Sequence, residues 1–310
     1  MSNIHIVSNG IYFPKKQIKN AELEKMLNLE SGYIEKRTGI KNRYYAINET
    51  LQEMAVGAAK NLFTLENEKQ NIDLIISATT STDMLMPGIS NHIQKELGLS
   101  PCICLDILAG CSGYINAFDI VKVYMDSRNI KRALIIGIDK LSEIIDKKDI
   151  GTAVVLSDGA GATLVEKEES AYQKIYLSNI KAEKDQNNIL TYRYGQNVYM
   201  NGKEVYKYAV TRTVENINEL VEKADISLHD VKYIVAHQSN LKIIKAIASR
   251  LHVEMEKMYT NIQERGNTFC ASIPIALHDM QKNGLLKKGD KIILLGYGGG
   301  LNTGSILMEI

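Results

Sequence analysis

The sequence predicts a layered α/β protein built twice on one plan, and three observations predict it. Short β-branched apolar runs alternate with amphipathic helical stretches, a pattern foreign to a sandwich or a bundle. The order of those signals repeats once within 310 residues, a length that suits one large globular unit or two ordinary domains. Hydrophobic residues make up 45% of the chain, enough to fill a substantial core and to exclude a disordered or fibrous protein.

The strand signals are IDLIIS (72–77), CICLDIL (102–108), RALIIGI (132–138), TAVVL (152–156), KYIVA (232–236) and KIILLGY (291–297). Residues 51–63, 88–97, 112–127, 205–223, 240–251 and 272–283 carry helical periodicity. In the first half, LIISATTS and a helix lead to CICLDILAGCSGYINAF, RALIIGIDK and AVVLSDGAGATLVE. In the second, YIVAHQSN and a helix lead to TNIQERGNTFCASIPIAL, KIILLGYGGG and GSILMEI. Each half is expected to close on a strand, a glycine turn and a further strand, with DGAGA (158–162) as the first of those turns. The division falls into residues 1–168 and 169–310, stacked face to face. No Pro-rich linker separates them. Residues 182–204, polar and Tyr-rich with little apolar period, read as a loop able to wall a site.

Thirty-seven basic residues against 36 acidic ones leave no global field to attract nucleic acid or an anionic membrane, so any charged docking surface is local. Cys102, Cys104, Cys111 and Cys270 are too few and too irregular for a disulfide scaffold, and no Cys-x-x-Cys pair points to a metal. The start, MSNIHIVSNGIYFPKK, lacks the basic and apolar segments of a targeting signal, and no apolar run approaches membrane-spanning length. The expectation is a cytoplasmic protein.

Three residues stand where strands give way to helices. Cys111 in LDILAGCSGY is flanked by Ala109, Gly110, Ser112 and Gly113, and a thiol at a helix N-terminus meets free N–H groups and the positive end of the dipole, which favour the thiolate. That thiolate attacks thioesters. A small buried core cysteine fits the residue type equally well. His237 ends KYIVA, at the carboxyl edge of a strand where catalytic groups gather in α/β folds; a lone histidine is as readily structural. Asn267 in ERGNTFCASIP can donate to a developing enolate beside a neutral imidazole, or can simply cap the helix that follows. GYGGGLNTG (296–304) is a weak nucleotide-loop match, since no helix follows it; such a run can equally supply an N–H to an oxyanion hole. Cysteine, histidine and asparagine in corresponding layers of a duplicated unit make one shared site geometrically reasonable.

Taken in order, RTGIKNRY, ATTSTDMLMP, DILAGCSGY, GIDKLSEIID, SDGAGATLV, AHQSN, RGNTFCASIP and GYGGG resemble the motifs of the β-ketoacyl-acyl-carrier-protein synthase III family from about Ile6 to the C-terminus. The resemblance implies a thiolase-like, five-layered αβαβα fold, with the nucleophile in the first half and the catalytic His and Asn in the second, and a homodimer. It implies Cys111 as acyl carrier, His237 and Asn267 as donors to the malonyl thioester oxygen during decarboxylation, and Gly299 joining Cys111 in the oxyanion hole. Substrates implied are a coenzyme A or carrier-bound acyl donor and malonyl-acyl carrier protein, with no permanent cofactor and no metal. Two cysteines would mark a reversible thiolase, and Cys270 is not in that motif.

The same resemblance places Arg37 against coenzyme A phosphates and Tyr33 where many members stack a tryptophan on adenine. Ile150 stands where many have a closing arginine. Tyr297 replaces a phenylalanine beside the catalytic pocket, and Thr303 a tryptophan. Met84, Met86, Leu141 and Met200 shape the acyl pocket, Met86 reaching across subunits. Lys242, Lys245 and Arg250 form a basic patch for the acidic carrier protein, or a solvated helix face. These departures lean toward a specialised pathway beside primary fatty-acid initiation. A second enzyme reading passes the Cys111-bound acyl group to an amine, alcohol or other acceptor. A third, a silent partner subunit, conflicts with the retained nucleophile.

Overall fold

The computed structural model describes residues 2–63 and 71–310. Two sheets form its frame. The first is five-stranded in the order Asn3–Tyr12, Gly159–Glu168, Arg132–Asp139, Leu74–Ala78, Ile103–Ile107, and the second is four-stranded in the order Val231–Ala236, Lys291–Gly298, Asn302–Glu309, Tyr176–Ala182. Arg132–Asp139, Leu74–Ala78 and Ile103–Ile107 run parallel, as do Val231–Ala236 and Lys291–Gly298, whereas Gly159–Glu168 and Asn302–Glu309 are antiparallel to both of their neighbours.

Period-two alternation sorts the side chains into layers. Ile76 and Ile135 face the middle of the molecule with Val235 and Leu294 of the other sheet, around the helices Gly113–Ser127 and Ser272–Lys282. Ile75, Leu134 and Ile136 point outward onto the helices Leu51–Leu62 and Ile89–Leu97. Ile293 and Leu295 point the opposite way, onto Gly202–Lys223 and Leu241–Leu251. Helices, sheet, helices, sheet and helices give the five layers expected. Because each sheet is covered on both faces, its strands read as continuous apolar runs.

Three of the four outer helices are capped by their own N-cap side chains, and Ile89–Leu97 follows Gly88 without one. Thr50 and Glu53 form a capping box, and Asn201 and Asn240 accept from the first turns of their helices. The two central helices have no side-chain cap. Their N-terminal amides are instead left to a pair of single 3-10 turns, Gly110–Ser112 and Phe269–Ala271.

Three expected elements differ. TAVVL is not a strand: Ile150–Ala153 is a short helix, because Asp149 accepts from Gly151 N–H and Thr152 Oγ1 at 2.9 and 2.7 Å and starts a helical turn. The carbonyls of Ala153 and Val154 are taken by Tyr45 Oη and Arg43 Nη2 at 3.0 and 3.1 Å, leaving no ladder to join. DGAGA is not a turn but the start of the strand Gly159–Glu168. Its glycines serve close approach, since a Cβ at Gly161 would lie 2.8 Å from Pro274. Residues 182–204, read as a loop, contain a two-stranded ribbon in which Tyr199 and Met200 pair with Thr191 and Leu190.

Candidate active site

The strand Ile103–Ile107 delivers the chain to Gly110, whose φ of +56° turns it into the central helix. A Cβ at Gly110 would lie 3.1 Å from Gly299 O, so only glycine makes this approach freely. Cys111 follows, 4% exposed, with Gly298 so close that a Cβ there would be 2.8 Å from the Cys111 Cβ and 3.1 Å from its Sγ. The backbone N–H groups of Cys111 and Gly299 both act on the sulfur. Burial outweighs them and, with Asp139 adding to it, pushes the thiol up. The ionised resting thiol expected from the helix terminus is thereby corrected: desolvation wins over the terminus and the two amides.

His237 ends the strand Val231–Ala236, its N–H donating to Leu295 O at 2.7 Å. Its Nδ1 shares a 2.7 Å hydrogen bond with Ser272 Oγ at the start of the second central helix, leaving Nε2 for a ligand. The ring meets Tyr297 edge-on, centroids 5.3 Å apart at 67°. Tyr297 Oη donates to His237 O at 3.3 Å and pairs with Ser239 Oγ at 2.7 Å, bracing the histidine from beneath. Burial lowers the imidazole to about 3, so it is neutral at ordinary pH.

Asn267 is fixed by backbone from the first half, its N–H donating to Val155 O at 3.1 Å and its O accepting from Ser157 N–H at 2.9 Å. Its side-chain Oδ1 accepts from Phe269 N–H at 3.0 Å, which turns Nδ2 away as a free donor.

Cys111, Gly110, Gly299 and Phe269 line a cavity of ≈ 520 Å³ together with Thr79, Leu108 and the ribbon residues Leu190, Thr191, Tyr192, Arg193 and Val198. The Tyr-rich segment is thus a wall of the site, as its composition foretold. Leu141 packs in the same apolar cluster as Cys111. Met200 lies on the ribbon, and Met86 is 88% exposed outside the cavity of the single chain. Tyr33 and the exposed Arg37 sit on the helix Tyr33–Thr38, the guanidinium 5.2 Å from the ring centroid. At Gly39 that helix abuts Leu241, bringing it beside the helix bearing exposed Lys242, Lys245 and Arg250; Arg250 also donates to Thr211 Oγ1 at 3.3 Å.

Sequence reasoning missed Asp139, Ser272 and Phe269. Buried Asp139 accepts N–H groups of Thr80, Ser81 and Cys270 at 2.7, 3.1 and 3.1 Å, tying the loop after Leu74–Ala78 to the Phe269–Ala271 turn; burial raises it to about 6 against those donors. Phe269 did leave a signal: a bulky aromatic inside a run of small turn residues. Among the described residues no cluster of three or more His, Cys, Asp or Glu could hold a metal, and no helix is long and apolar enough to cross a membrane.

Residues 105–184 match the family model described as 3-oxoacyl-[acyl-carrier-protein (ACP)] synthase III, and residues 221–310 match its C-terminal model. Over 100% of its length the chain is 35% identical to 99% of the β-ketoacyl-[acyl-carrier-protein] synthase III of Clostridium acetobutylicum. The crystal structure of 3-oxoacyl-[acyl-carrier-protein] synthase III from Aquifex aeolicus matches with a TM-score of 0.94 at 38% identity, covering 99% of this chain and 100% of that one. The priming β-ketosynthase of the R1128 polyketide pathway matches at 0.91 and 27%, covering 99% and 96%. A five-layered frame whose two uncapped central helices each open on a turn that carries a cysteine, together with these matches along the whole chain, places the protein in the 3-oxoacyl-[acyl-carrier-protein] synthase III family, enzymes of thiolase-like fold.

Proposed function

We propose that the chain catalyses a decarboxylative Claisen condensation between an acyl thioester and malonyl-acyl carrier protein. Cys111 Sγ attacks the donor carbonyl, and the developing oxyanion sits between the N–H groups of Cys111 and Gly299. The carbon–sulfur bond of the donor breaks, and the thiol proton of Cys111 leaves with the departing thiolate. The malonyl thioester then loses its carboxylate as carbon dioxide. The electrons of that bond become an enolate whose oxygen accepts from His237 Nε2–H and Asn267 Nδ2–H. The enolate carbon attacks the acyl carbonyl, the bond to Cys111 Sγ breaks, and the sulfur takes a proton as the β-ketoacyl product leaves.

The observation that supports this reading is the strand end Tyr297–Gly298, where Tyr297 meets the ring of a neutral His237 and Gly298 lies against Cys111, a cysteine with two N–H groups at its sulfur; Asn267 adds a carboxamide oriented by Phe269 N–H. A protonated imidazole would hold charge in the resting state; a neutral one donates only as the enolate forms. With Nδ1 held by Ser272 Oγ, the tautomer required carries its proton on Nε2.

Coenzyme A is the donor carrier favoured by Arg37 and Tyr33 at the surface, while Ile150 offers no charge to close over it. Lys242, Lys245 and Arg250 form the landing surface for acidic carrier protein. The edge strand Ile103–Ile107 next to exposed Leu108, Met84, Leu85 and Met86 supports a homodimer, in which an uncovered apolar edge finds a partner and Met86 reaches the other subunit's pocket. Residues 1–168 and 169–310 are read as two copies of one unit, each supplying a whole sheet. The place of action is the cytoplasm, in fatty-acid initiation or a specialised pathway, and the enzyme needs no permanent cofactor.

Intact mass after incubation with acyl thioesters tests the first half-reaction, with an adduct on wild type and none on Cys111→Ala. Malonyl-carrier protein must then discharge the adduct with release of carbon dioxide. An adduct that resists malonyl-carrier protein but yields to an amine or alcohol overturns the condensation in favour of acyl transfer to that acceptor.

A further inference from the structure

The turns Gly110–Ser112 and Phe269–Ala271 have matching backbones. Gly110 has φ +56° and Phe269 φ +45°; the residue before each is Ala109 at −139°/31° and Thr268 at −103°/25°, and the residues after the two turns, Gly113 and Ser272, enter the central helices at −54°/−38° and −63°/−41°. Glycine reaches such a left-handed conformation without strain, whereas for a bulky residue it is an outlier that persists only where the surroundings over-determine it. The surroundings do so here. Phe269 N–H is held by Asn267 Oδ1, and the next residue, Cys270, is held through its N–H by Asp139 and through its thiol by Gly110 O at 2.9 Å.

The fold would tolerate glycine at 269 more readily than phenylalanine, and the side chain that sits there faces the Cys111 cavity. Phe269 is 4% exposed and shares an apolar cluster with Cys111, Leu141 and Val198. From these positions we infer that Phe269 is a specificity-determining residue, its ring closing the pocket around the group carried on Cys111 and restricting that group to short acyl chains.

This rests on Cys111 being the acyl carrier. An apolar wall discriminates by the methylenes it refuses, each worth roughly 10–200-fold in rate. The test measures acylation by acetyl-, butyryl-, octanoyl- and decanoyl-coenzyme A, by intact mass over time, for wild type, Phe269→Gly and Phe269→Leu, with thermal melts alongside. Phe269→Gly suits the backbone and removes the ring, and its octanoyl-to-acetyl rate ratio should rise at least ~10-fold, with Phe269→Leu between it and wild type. A ratio unchanged in both variants, even if all rates fall together, overturns the inference and leaves Phe269 a packing residue. If Phe269→Gly does not melt cooperatively, the ratio in Phe269→Leu decides alone. Wild type that takes no acyl group from any of the thioesters fails the reading of Cys111 instead, a result distinguishable from an unchanged ratio.

Discussion

Gly110–Cys111 and Phe269–Cys270 occupy the same place in the two halves of the molecule, yet only one of the two sulfurs looks into the cavity. Cys111 has the N–H of Gly299 at its sulfur and lines the site. Cys270 donates its thiol to Gly110 O and is raised well above the ordinary range by burial, with Asp139 and Cys111 adding to it. The difference lies in the neighbours: a glycine strand facing the first turn presents amides, whereas the second turn meets a carboxylate and a carbonyl, both acceptors. Duplication supplied the backbone, and what packs against each copy decided the chemistry.

Exchanging the cysteines gives the largest contrast. Cys111→Ala should abolish the covalent adduct, while Cys270→Ala should acylate at close to the wild-type rate; equal loss in both would break the comparison. Next, His237→Ala and Asn267→Ala should still be acylated yet lose decarboxylation by about 10²–10³-fold, as expected for removal of a donor to a developing oxyanion. Equal loss of both half-reactions, followed by mass and by released carbon dioxide, would contradict the partition. Gly110→Ala should cost about 1–3 kcal/mol in urea unfolding, because the first turn combines positive φ with a carbonyl 3.1 Å from the new Cβ. A negligible cost would mean that the turn is freer than its partner.

An effect of similar size is in pH. His237 falls from an ordinary value of 6.5 to about 3 on folding, so the unfolded chain binds the extra proton between those values. Its contribution to stability is full above pH 6.5 and is lost as pH falls toward 3. By pH 5 wild type should lose about 2 kcal/mol from this group, a loss absent in His237→Ala. Parallel pH profiles would show that the imidazole is solvated in the folded protein.

The layers were legible because each sheet is covered on both faces, so apolar runs such as LIISA and KIILLG announce themselves. Cys111 and His237 stood out because each follows a strand where composition changes sharply; Asn267, expected at such a junction, lies instead between the short helix Ile262–Arg265 and the Phe269–Ala271 turn, joined to Leu156 by an isolated bridge. TAVVL misled because β-branched residues lost to one aspartate cap, and DGAGA misled because glycine signals close approach as well as turning. Ser272, Asp139 and Tyr297's brace were invisible as partners, since their roles depend on contacts 35 to 131 residues apart in the chain.

The seam at Asn267 has one more consequence. Its backbone is threaded between Val155 and Ser157, residues of the opposite sheet's half, so the carboxamide is aligned by a chain segment that belongs to neither its own sheet nor its own helix. Loosening the two sheets from one another would misplace that donor before it exposed the core. Turnover should therefore fade at milder denaturant than the loss of helix signal, and the condensation step should fade before the capture of the acyl group.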